Sequence, residues 1–248
     1  MHDGIAISLT RRQTATQRQA ARVASTDCPL LITGETGAGK GHLARWIHDH
    51  SGRAGSPFVP VNCGAIPESL ADSHLFGHRK GAFSDAVSDH PGLVRSAEDG
   101  TLFLDEVSDL SPSAQIRLLR LLDEGEAQAV GAAFPDTVDV RIIAATNRDL
   151  GALVQTRHFR EDLFYRLNVI TFHVRALRER TDEIAELIET FNAEMGRQIG
   201  RGPLSFDPAV IMALERHPWP GNVRQLRTVL ERLHVLCPHD HVLLPDLW

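Results

Sequence analysis

A glycine-rich segment that ends in a lysine lies between a predicted strand and a predicted helix. Its residues, in order, are Gly34, Glu35, Thr36, Gly37, Ala38, Gly39 and Lys40. Glycines let the backbone N–H groups of such a loop turn inward around phosphates, and the helix that follows points its positive dipole end at them. Lys40 would then bridge the β- and γ-phosphates of a nucleotide. The alternative is a glycine-rich turn with an incidental lysine, which the strand–loop–helix context disfavours.

The residue after Lys40 departs from the usual phosphate-loop pattern. Gly41 stands where a Ser or Thr would ligate Mg²⁺, so the metal would depend more on other groups and on water. Asp105 and Glu106, which end an apolar segment, can supply those groups. Asp105 would hold the metal directly or through water, and Glu106 would polarise the attacking water. Together with a phosphate loop, this acidic pair predicts nucleotide hydrolysis.

Composition and charge narrow the class of protein. The 248 residues are 42% apolar and 23% charged, as in a soluble globular protein. The formal net charge of −6 argues against a dedicated nucleic-acid-binding face. No stretch approaches the roughly 20 consecutive apolar residues of a membrane span, and no secretory signal follows Met1. Three cysteines lack pairing or metal spacing and predict free thiols. We therefore expect a cytoplasmic protein that has no membrane contact.

Short apolar segments alternate with helical patterns in the first part of the chain. The predicted strands are 28–33, 58–61, 101–104, 140–145 and 169–174. The predicted helices are 10–25, the segment from Lys40 onward, and 111–124. Buried strands that alternate with helices predict a mostly parallel sheet covered on both faces. Residues 1–174 are therefore predicted to form an α/β nucleotide-binding core.

The pattern after about residue 175 predicts helices and no strands. The helices are expected at 182–195, 207–216 and 222–236, with glycine- and proline-containing breaks between them. Residues 175–248 are therefore predicted to form a small all-helical lid.

Several short blocks resemble the central AAA+ domain of bacterial enhancer-binding proteins, the sigma-54-dependent transcriptional activators. Besides residues 34–40, the blocks are 61–63, 75–78, 81–83, 100–106, 145–147, 159–163 and 219–224, in the family's order. The resemblance covers about residues 14–236. It implies an AAA+ P-loop NTPase fold, with a parallel-sheet core between helices and a helical lid. It also implies ATP and Mg²⁺ as cofactors. Members use ATP hydrolysis, usually in a hexameric ring, to open promoter complexes of the sigma-54 RNA polymerase holoenzyme.

The resemblance also implies roles for single residues. Asn62 is similar to the switch residue that holds Glu106 away from its water until the target is engaged. Asn147 occupies the position that senses the γ-phosphate. Arg160 and Arg166 resemble fingers that reach the nucleotide of the next subunit, and a guanidinium in trans can raise the rate by orders of magnitude. Arg224 is similar to the residue that links the nucleotide state to the lid. The alternative for each arginine is a surface salt bridge.

The family's polymerase-contacting loop reads Gly-Ala-Phe-Thr-Gly-Ala. The matching residues here are Gly81, Ala82, Phe83, Ser84, Asp85 and Ala86. Phe83, the apolar tip expected to touch sigma-54, is present, and Ser84 keeps the hydroxyl group. Asp85 adds a charge and removes freedom at positive φ. Several alternatives follow for the contact between this loop and sigma-54. The contact is weakened, the loop contacts a different partner, or the loop no longer activates the polymerase. In the remaining alternative, the loop acts as the family's loop does.

Two further expectations concern what the chain lacks. Family members usually carry an N-terminal sensory domain and a C-terminal helix-turn-helix, and neither is evident in this sequence. We therefore expect no direct sequence-specific DNA binding. The chain is then either an excised central domain or a natural protein that does not bind enhancer DNA by itself.

Two functions of different classes follow. In the first, the chain is a mechanoenzyme in which ATP turnover drives the loop at 81–86 against sigma-54. In the second, it is a nucleotide-dependent regulatory or binding module, in which Asp85 impairs the loop and the chain assembles with or modulates another activator. An active ATPase is favoured because a pure binding module need not keep all of the expected catalytic residues, which are Lys40, Asp105, Glu106, Asn147, Arg160 and Arg166. Gly41 and Asp85 support the second function. The block at 81–83 disfavours other AAA+ motors, such as helicase loaders.

Overall fold

The computed structural model describes residues 15–247, which fall into two compact units. The first unit contains residues 16–34 and 40–173, and the second contains residues 35–39 and those from 174 onward. The strands are β1 (Leu30–Gly34), β2 (Phe58–Asn62), β3 (Thr101–Asp105), β4 (Glu126–Ala127), β5 (Asp136–Thr137), β6 (Arg141–Thr146), β7 (Ile170–Val174), β8 (Ser205–Phe206) and β9 (His241–Val242).

Ten α-helices connect or cover these strands in the described part of the chain. They are α1 (Ala15–Ala24), α2 (Lys40–Asp49), α3 (Glu68–Phe76), α4 (Gly92–Ser96), α5 (Pro112–Glu124), α6 (Leu150–Gln155), α7 (Glu161–Leu167), α8 (Ile184–Ile199), α9 (Pro208–Arg216) and α10 (Asn222–Leu236). The helix predicted over 10–25 is confirmed from residue 15 on, and residues 10–14 lie outside the described residues.

The first unit is built on a five-stranded sheet in the order β2–β3–β6–β1–β7. The pairings of β2 with β3, β3 with β6 and β1 with β6 are parallel. All six residues of β6 are buried, as expected for a strand covered on both faces. The predicted α/β class with a parallel sheet is confirmed. Because parallel strands share a direction, the residues at their carboxyl ends meet at one edge of the sheet.

Helix α5 shows how the sequence sets the bounds of an element in this unit. Ser111 accepts a hydrogen bond from Ala114 N, and Pro112 begins the helix with its φ already fixed. Gly125 ends the helix in the left-handed conformation. The buried face of α5, with Leu118 and Leu121, packs into the apolar core of the sheet.

The second unit has a separate apolar core. Helices α8, α9 and α10 surround Trp219, which is fully buried and donates from Nε1 to Leu214 O at 2.7 Å. The three predicted helices are present. The expectation that strands stop at residue 175 is wrong in one detail, because β8 and β9 form a short parallel pair. With two residues each, they are too short for a strand pattern to appear in the sequence. No helix within residues 15–247 is long and apolar enough to cross a membrane.

Candidate functional site

Lys40 begins α2, directly after the glycine-rich loop, and is only 6% exposed. Its Nζ atom donates a hydrogen bond to Gly34 O at 3.0 Å and lies 3.5 Å from Oε1 of Glu106. A buried ammonium group needs such partners, because isolating it from water is unfavourable. The structure therefore brings together the predicted phosphate-binding lysine and the predicted hydrolytic carboxylate.

Glu106 follows the last residue of β3 and takes a left-handed backbone conformation, with φ 53° and ψ 51°. For a residue with a side chain this conformation costs about 1–2 kcal/mol, and such strain concentrates at functional sites. The carboxylate is held at both oxygens, since Oε1 lies near Lys40 Nζ and Oε2 accepts from Asn147 N at 3.1 Å. Asp105 Oδ1 accepts from the backbone N–H of Glu106 at 3.1 Å. The ends of β3 and β6 thus fix the position of this glutamate.

Asn62 ends β2, and the sheet register pairs it with Asp105. Its Oδ1 atom accepts a hydrogen bond from Ala65 N at 3.2 Å and caps a short 3₁₀ turn. The structure places Asn62 beside the acidic pair at the same sheet edge. In the structure, however, Lys40 and Asn147 hold the oxygens of Glu106, so a switch role for Asn62 stays a prediction.

The metal site expected at Asp105 lies at this edge of the sheet. The thiol of Cys63, which follows Asn62 in the chain, is buried near Asp105. Burial, and then the negative charge of Asp105, raises the pKa of this thiol to about 12. Gly41 contributes no oxygen ligand, and a Cβ atom at this position would lie 3.4 Å from the Phe103 ring. Magnesium prefers carboxylate oxygens and keeps several waters. Within residues 15–247 no group of three or more His, Cys, Asp and Glu side chains could hold a metal ion, so binding of Mg²⁺ by Asp105 and water, with Glu106 next to it, stays a prediction.

Residues 35–39 of the glycine-rich loop have their own partners within the second unit. Glu35 forms a two-pronged ion pair with Arg178, with distances of 2.8 and 2.5 Å. It also accepts from Asn222 Nδ2 at 3.0 Å. The hydrogen bonds from Arg178, and then the one from Asn222, lower the pKa of Glu35 to about 2. Neither Arg178 nor Asn222 was predicted from the sequence to have a role, although Asn222 lies in the block at 219–224.

Arg224 lies in the first turn of α10, close to the loop. A Cβ atom built on Gly37 would be 3.1 Å from the Cβ atom of Arg224. The predicted lid arginine and the glycine-rich loop are therefore neighbours within the second unit. A role for Arg224 in reporting the nucleotide state stays a prediction.

The two predicted arginine fingers lie at α7. Arg160 directly precedes the helix and pairs with Asp162 through two hydrogen bonds of 3.0 and 2.7 Å. Arg166, in the last turn, donates to Leu122 O at 2.8 Å and lies 2.9 Å from Asp123 Oδ1. The side chains are 43% and 47% exposed, so both can change partners at little cost. Their action in trans stays a prediction.

The predicted partner-contact loop at 81–86 is a tight turn. Gly81 N donates to Ala86 O at 2.8 Å, and Ala86 N donates to Phe83 O at 3.0 Å. Phe83 is 38% exposed, and its ring packs edge-on against His78 with centroids 4.9 Å apart. A partly exposed aromatic ring on a turn can contact a partner without a large rearrangement.

Asp85 does not have a positive φ angle in the structure. Within residues 15–247, the non-glycine residues with positive φ are Asp99, Glu106, Arg157, Trp219 and Asn222. The loop closes through backbone hydrogen bonds that do not require the left-handed conformation at Asp85. The change from glycine to aspartate therefore adds a charge here without adding backbone strain.

A hairpin formed by β4 and β5, which was not predicted from the sequence, borders this loop. Arg79 N donates to Val130 O, and Val130 N donates to Gly77 O, both at 2.9 Å. A Cβ atom on Gly131, which has φ 79°, would lie 2.8 Å from Ala82 Cβ. Asp89 also fixes the base of the loop by accepting from Lys80 N at 2.7 Å. The loop at 81–86 therefore projects from a hydrogen-bonded base.

Comparisons with known proteins agree with this arrangement. Residues 7–173 match the family described as "Sigma-54 interaction domain", and residues 178–248 match the family described as "AAA+ ATPase lid domain". The chain is similar to the alginate biosynthesis transcriptional regulatory protein AlgB of Pseudomonas aeruginosa, with 48% identity over 90% of this chain and 50% of that protein. It is also similar to the Nif-specific regulatory protein of Azotobacter vinelandii, with 50% identity over 88% of this chain and 42% of that protein. The chain thus spans about half the length of these curated relatives.

Solved structures show the same fold. NtrX from Brucella abortus in complex with ATP superposes with a TM-score of 0.86 at 36% identity, over 99% of this chain and 57% of that chain. The ADP complex of NtrX gives a TM-score of 0.87 at 36% identity, over 98% of this chain and 55% of that chain. The resemblance found in the sequence is confirmed. The chain therefore belongs to the sigma-54 interaction domain family, and an AAA+ ATPase lid domain follows that domain in it.

Proposed function

We propose that this chain hydrolyses ATP and uses the energy to remodel sigma-54 RNA polymerase. The observation that carries the proposal is the 3.5 Å approach of Lys40 Nζ to Glu106 Oε1. This places a phosphate-binding ammonium group beside a carboxylate that can polarise water. The ATP and ADP complexes of the relative NtrX support a nucleotide ligand.

The roles at the nucleotide site follow from position and chemistry. Residues 34–40, followed by Gly41, would surround the phosphates, because the N-terminus of α2 and the loop amides favour anions. Asp105 would hold Mg²⁺, which would neutralise charge on the phosphate oxygens. Glu106 would orient the attacking water, and Asn147 would contact the γ-phosphate. Asn62 would restrain Glu106 until the partner is engaged.

The proposal includes a ring of subunits, of which a hexamer is the expected form. Arg160 and Arg166 make only surface contacts in the described single chain. Each can therefore turn toward the phosphates of a neighbouring subunit, where a guanidinium stabilises charge in the transition state. Arg224 would report the nucleotide state from α10. The active site would be complete only between subunits.

The partner is proposed to be the sigma-54 RNA polymerase holoenzyme, contacted through residues 81–86. The family match and the exposed ring of Phe83 support this assignment. A cytoplasmic location follows from such a partner. The alternative function, a regulatory module with an impaired loop, depends on Asp85. One argument for this alternative function is removed, because the φ angle of Asp85 is not positive.

One experiment tests the enzymatic part of the proposal. The ATPase rate and ATP binding of the purified chain are measured for the wild type, Lys40→Ala and Lys80→Ala. We expect Lys40→Ala to lose both binding and turnover, because the phosphates lose their buried cation. Lys80→Ala, the matched control at the only other lysine, should hydrolyse ATP like the wild type. Turnover by Lys40→Ala at the wild-type rate would refute the proposal.

A further inference from the structure

Glu35 puts a carboxylate inside the loop that is proposed to bind phosphates. The carboxylate is ionised at neutral pH, and hydrogen bonds from Arg178 and then Asn222 lower its pKa further, to about 2. An uncompensated carboxylate next to a triphosphate would weaken binding through like-charge repulsion. The loop therefore needs a compensating cation, and the two-pronged pair with Arg178 provides it.

Asn222 fixes the position of Thr36 O, one of two carbonyl groups of the glycine-rich loop that are held by side chains. The residue is fully buried and takes the left-handed conformation at φ 53°, which asparagine tolerates better than most residues. Its Oδ1 atom accepts from Leu177 N at 2.8 Å, so its Nδ2 group must face the loop. There it donates to Glu35 Oε2 at 3.0 Å and to Thr36 O at 3.1 Å. The amide orientation of Asn222 is thus fully determined.

Arg180 fixes the second carbonyl. Its Nη2 atom donates to Ala38 O at 2.5 Å, while Nη1 pairs with Glu183 at 2.9 Å. The side chain is only 12% exposed, so this contact is largely shielded from water. An arginine held by a carboxylate on one side and a carbonyl on the other has little freedom to rotate.

These two carbonyl contacts determine where the loop amides point. In a trans peptide the C=O and the following N–H lie in one plane and point in opposite directions. Thr36 O points toward Asn222 and Ala38 O points toward Arg180, so the N–H groups of Gly37 and Gly39 point away from these side chains. Gly37, with φ 76°, could not carry a side chain, because its Cβ atom would lie 2.5 Å from Gly221 O. The amide positions are set by side chains far along the sequence.

We propose that Arg178, Arg180 and Asn222 are positioning residues of the nucleotide site. Asn222 and Arg180 turn the N–H groups of Gly37 and Gly39 toward the phosphates. Arg178 neutralises the charge of Glu35, so that an unpaired carboxylate does not repel the triphosphate. This inference depends on the proposed binding of nucleotide by residues 34–40.

A double-mutant cycle tests the charge-compensating role. Affinities for a non-hydrolysable ATP analogue and for ADP are measured for the wild type, Arg178→Gln, Glu35→Gln and the double variant. We expect Arg178→Gln to bind the ATP analogue about tenfold more weakly, with a smaller loss for ADP, which carries less charge. The double variant should bind about as tightly as the wild type, because no bare carboxylate remains. Arg175→Gln, a control at a nearby exposed arginine, should leave both affinities unchanged.

The outcomes separate this inference from the proposed function. If the wild type binds neither nucleotide, the proposed function fails. If the wild type binds and Arg178→Gln binds equally well, or the second substitution restores nothing, the inference is overturned. A purely structural role predicts equal losses for ATP and ADP without rescue. If Arg178→Gln does not fold, the double variant alone carries the test, and weak binding by it would contradict the inference.

Asn222→Asp tests the positioning of the loop carbonyls. The substitution preserves the size of the side chain and the acceptor for Leu177 N, but it replaces the donor that faces Thr36 O and Glu35. We expect a loss of ATP and ADP affinity of about tenfold or more, with helical circular dichroism retained. Wild-type affinity in this variant would overturn the role of Asn222.

Discussion

Lys40 Nζ lies 3.5 Å from Glu106 Oε1, so the two charges proposed to bind phosphate and to activate water also pair with each other. ATP must then compete with Glu106 for Lys40. We expect Glu106→Gln to bind an ATP analogue a few-fold more tightly than the wild type, because the competing charge is gone. Its turnover should fall by about 10²–10⁴-fold, since the general base is lost. Fluorescence titration and a steady-state ATPase assay measure the two effects. Unchanged turnover would refute the role of Glu106.

Subunit mixing tests whether Arg160 acts in trans. Arg160→Ala and Glu106→Gln should each be inactive alone. In a mixed ring, Glu106 from one subunit can meet Arg160 from the next. Equal mixing should restore about a quarter of the interfaces, and activity in proportion. Mixing Arg160→Ala with Lys40→Ala should give a similar recovery, whereas Arg197→Ala, at an exposed arginine of α8, should be active by itself. The absence of recovery in both mixtures would place Arg160 in the same subunit as its nucleotide.

The loop at 81–86 can be tested by the capture of purified sigma-54 in the presence of ADP and a γ-phosphate mimic. We expect the wild type to capture sigma-54, and Asp85→Gly to do so equally within a few-fold, because the φ angle of Asp85 is not positive. Phe83→Ala should lose capture while its basal ATPase rate is retained. Val87→Ser, at an exposed apolar residue just outside the loop, is the matched control. Capture by Asp85→Gly alone would favour the regulatory module.

His48 should make stability depend on pH. It is buried, its Nδ1 atom lies 2.9 Å from Thr101 Oγ1, and burial lowers its pKa below the ordinary value of 6.5. The unfolded chain therefore binds a proton more readily, and stability present above pH 6.5 is lost as the pH falls toward the folded pKa. Urea denaturation at pH 7.5 and 5.5 should show this loss, and His48→Gln should reduce it. His74→Gln, at an exposed histidine, should leave the pH dependence unchanged; an equal reduction there would contradict the assignment.

The central strands could be predicted because each is a short apolar segment with a clear end. Leu30–Gly34 stops at a glycine, and Thr101–Asp105 stops at an acidic pair. Helix α4 and the β4–β5 hairpin were missed for the opposite reason. Helix α4 has five residues and the hairpin strands have two each, which is less than a period-based pattern needs.

Some residues of the candidate site could be predicted from the sequence, and others could not. Asp105 was expected from the acidic pair and Asn62 and Asn147 from the family resemblance, and the parallel strands that lead to them end at one edge of the sheet. The partners of the glycine-rich loop could not be found in this way, since Arg178 is 143 residues from Glu35 and Asn222 is 187 residues from it. Nothing local distinguishes Arg178 from the many other arginines of the chain. Only packing within the second unit selects it.

The left-handed backbone of Glu106 implies a conflict between the stability of the folded domain and the catalytic role of this residue. Glu106→Gly and Glu106→Ala both remove the carboxylate, but only glycine accepts φ 53° without steric strain. The glycine variant should therefore be more stable than the alanine variant by about 1 kcal/mol in chemical denaturation, although both are inactive. Equal stability would mean that the surrounding chain absorbs the strain. The residue proposed to activate water thus stands where its own backbone would favour a glycine, and the domain gives up part of its resistance to unfolding in order to turn over.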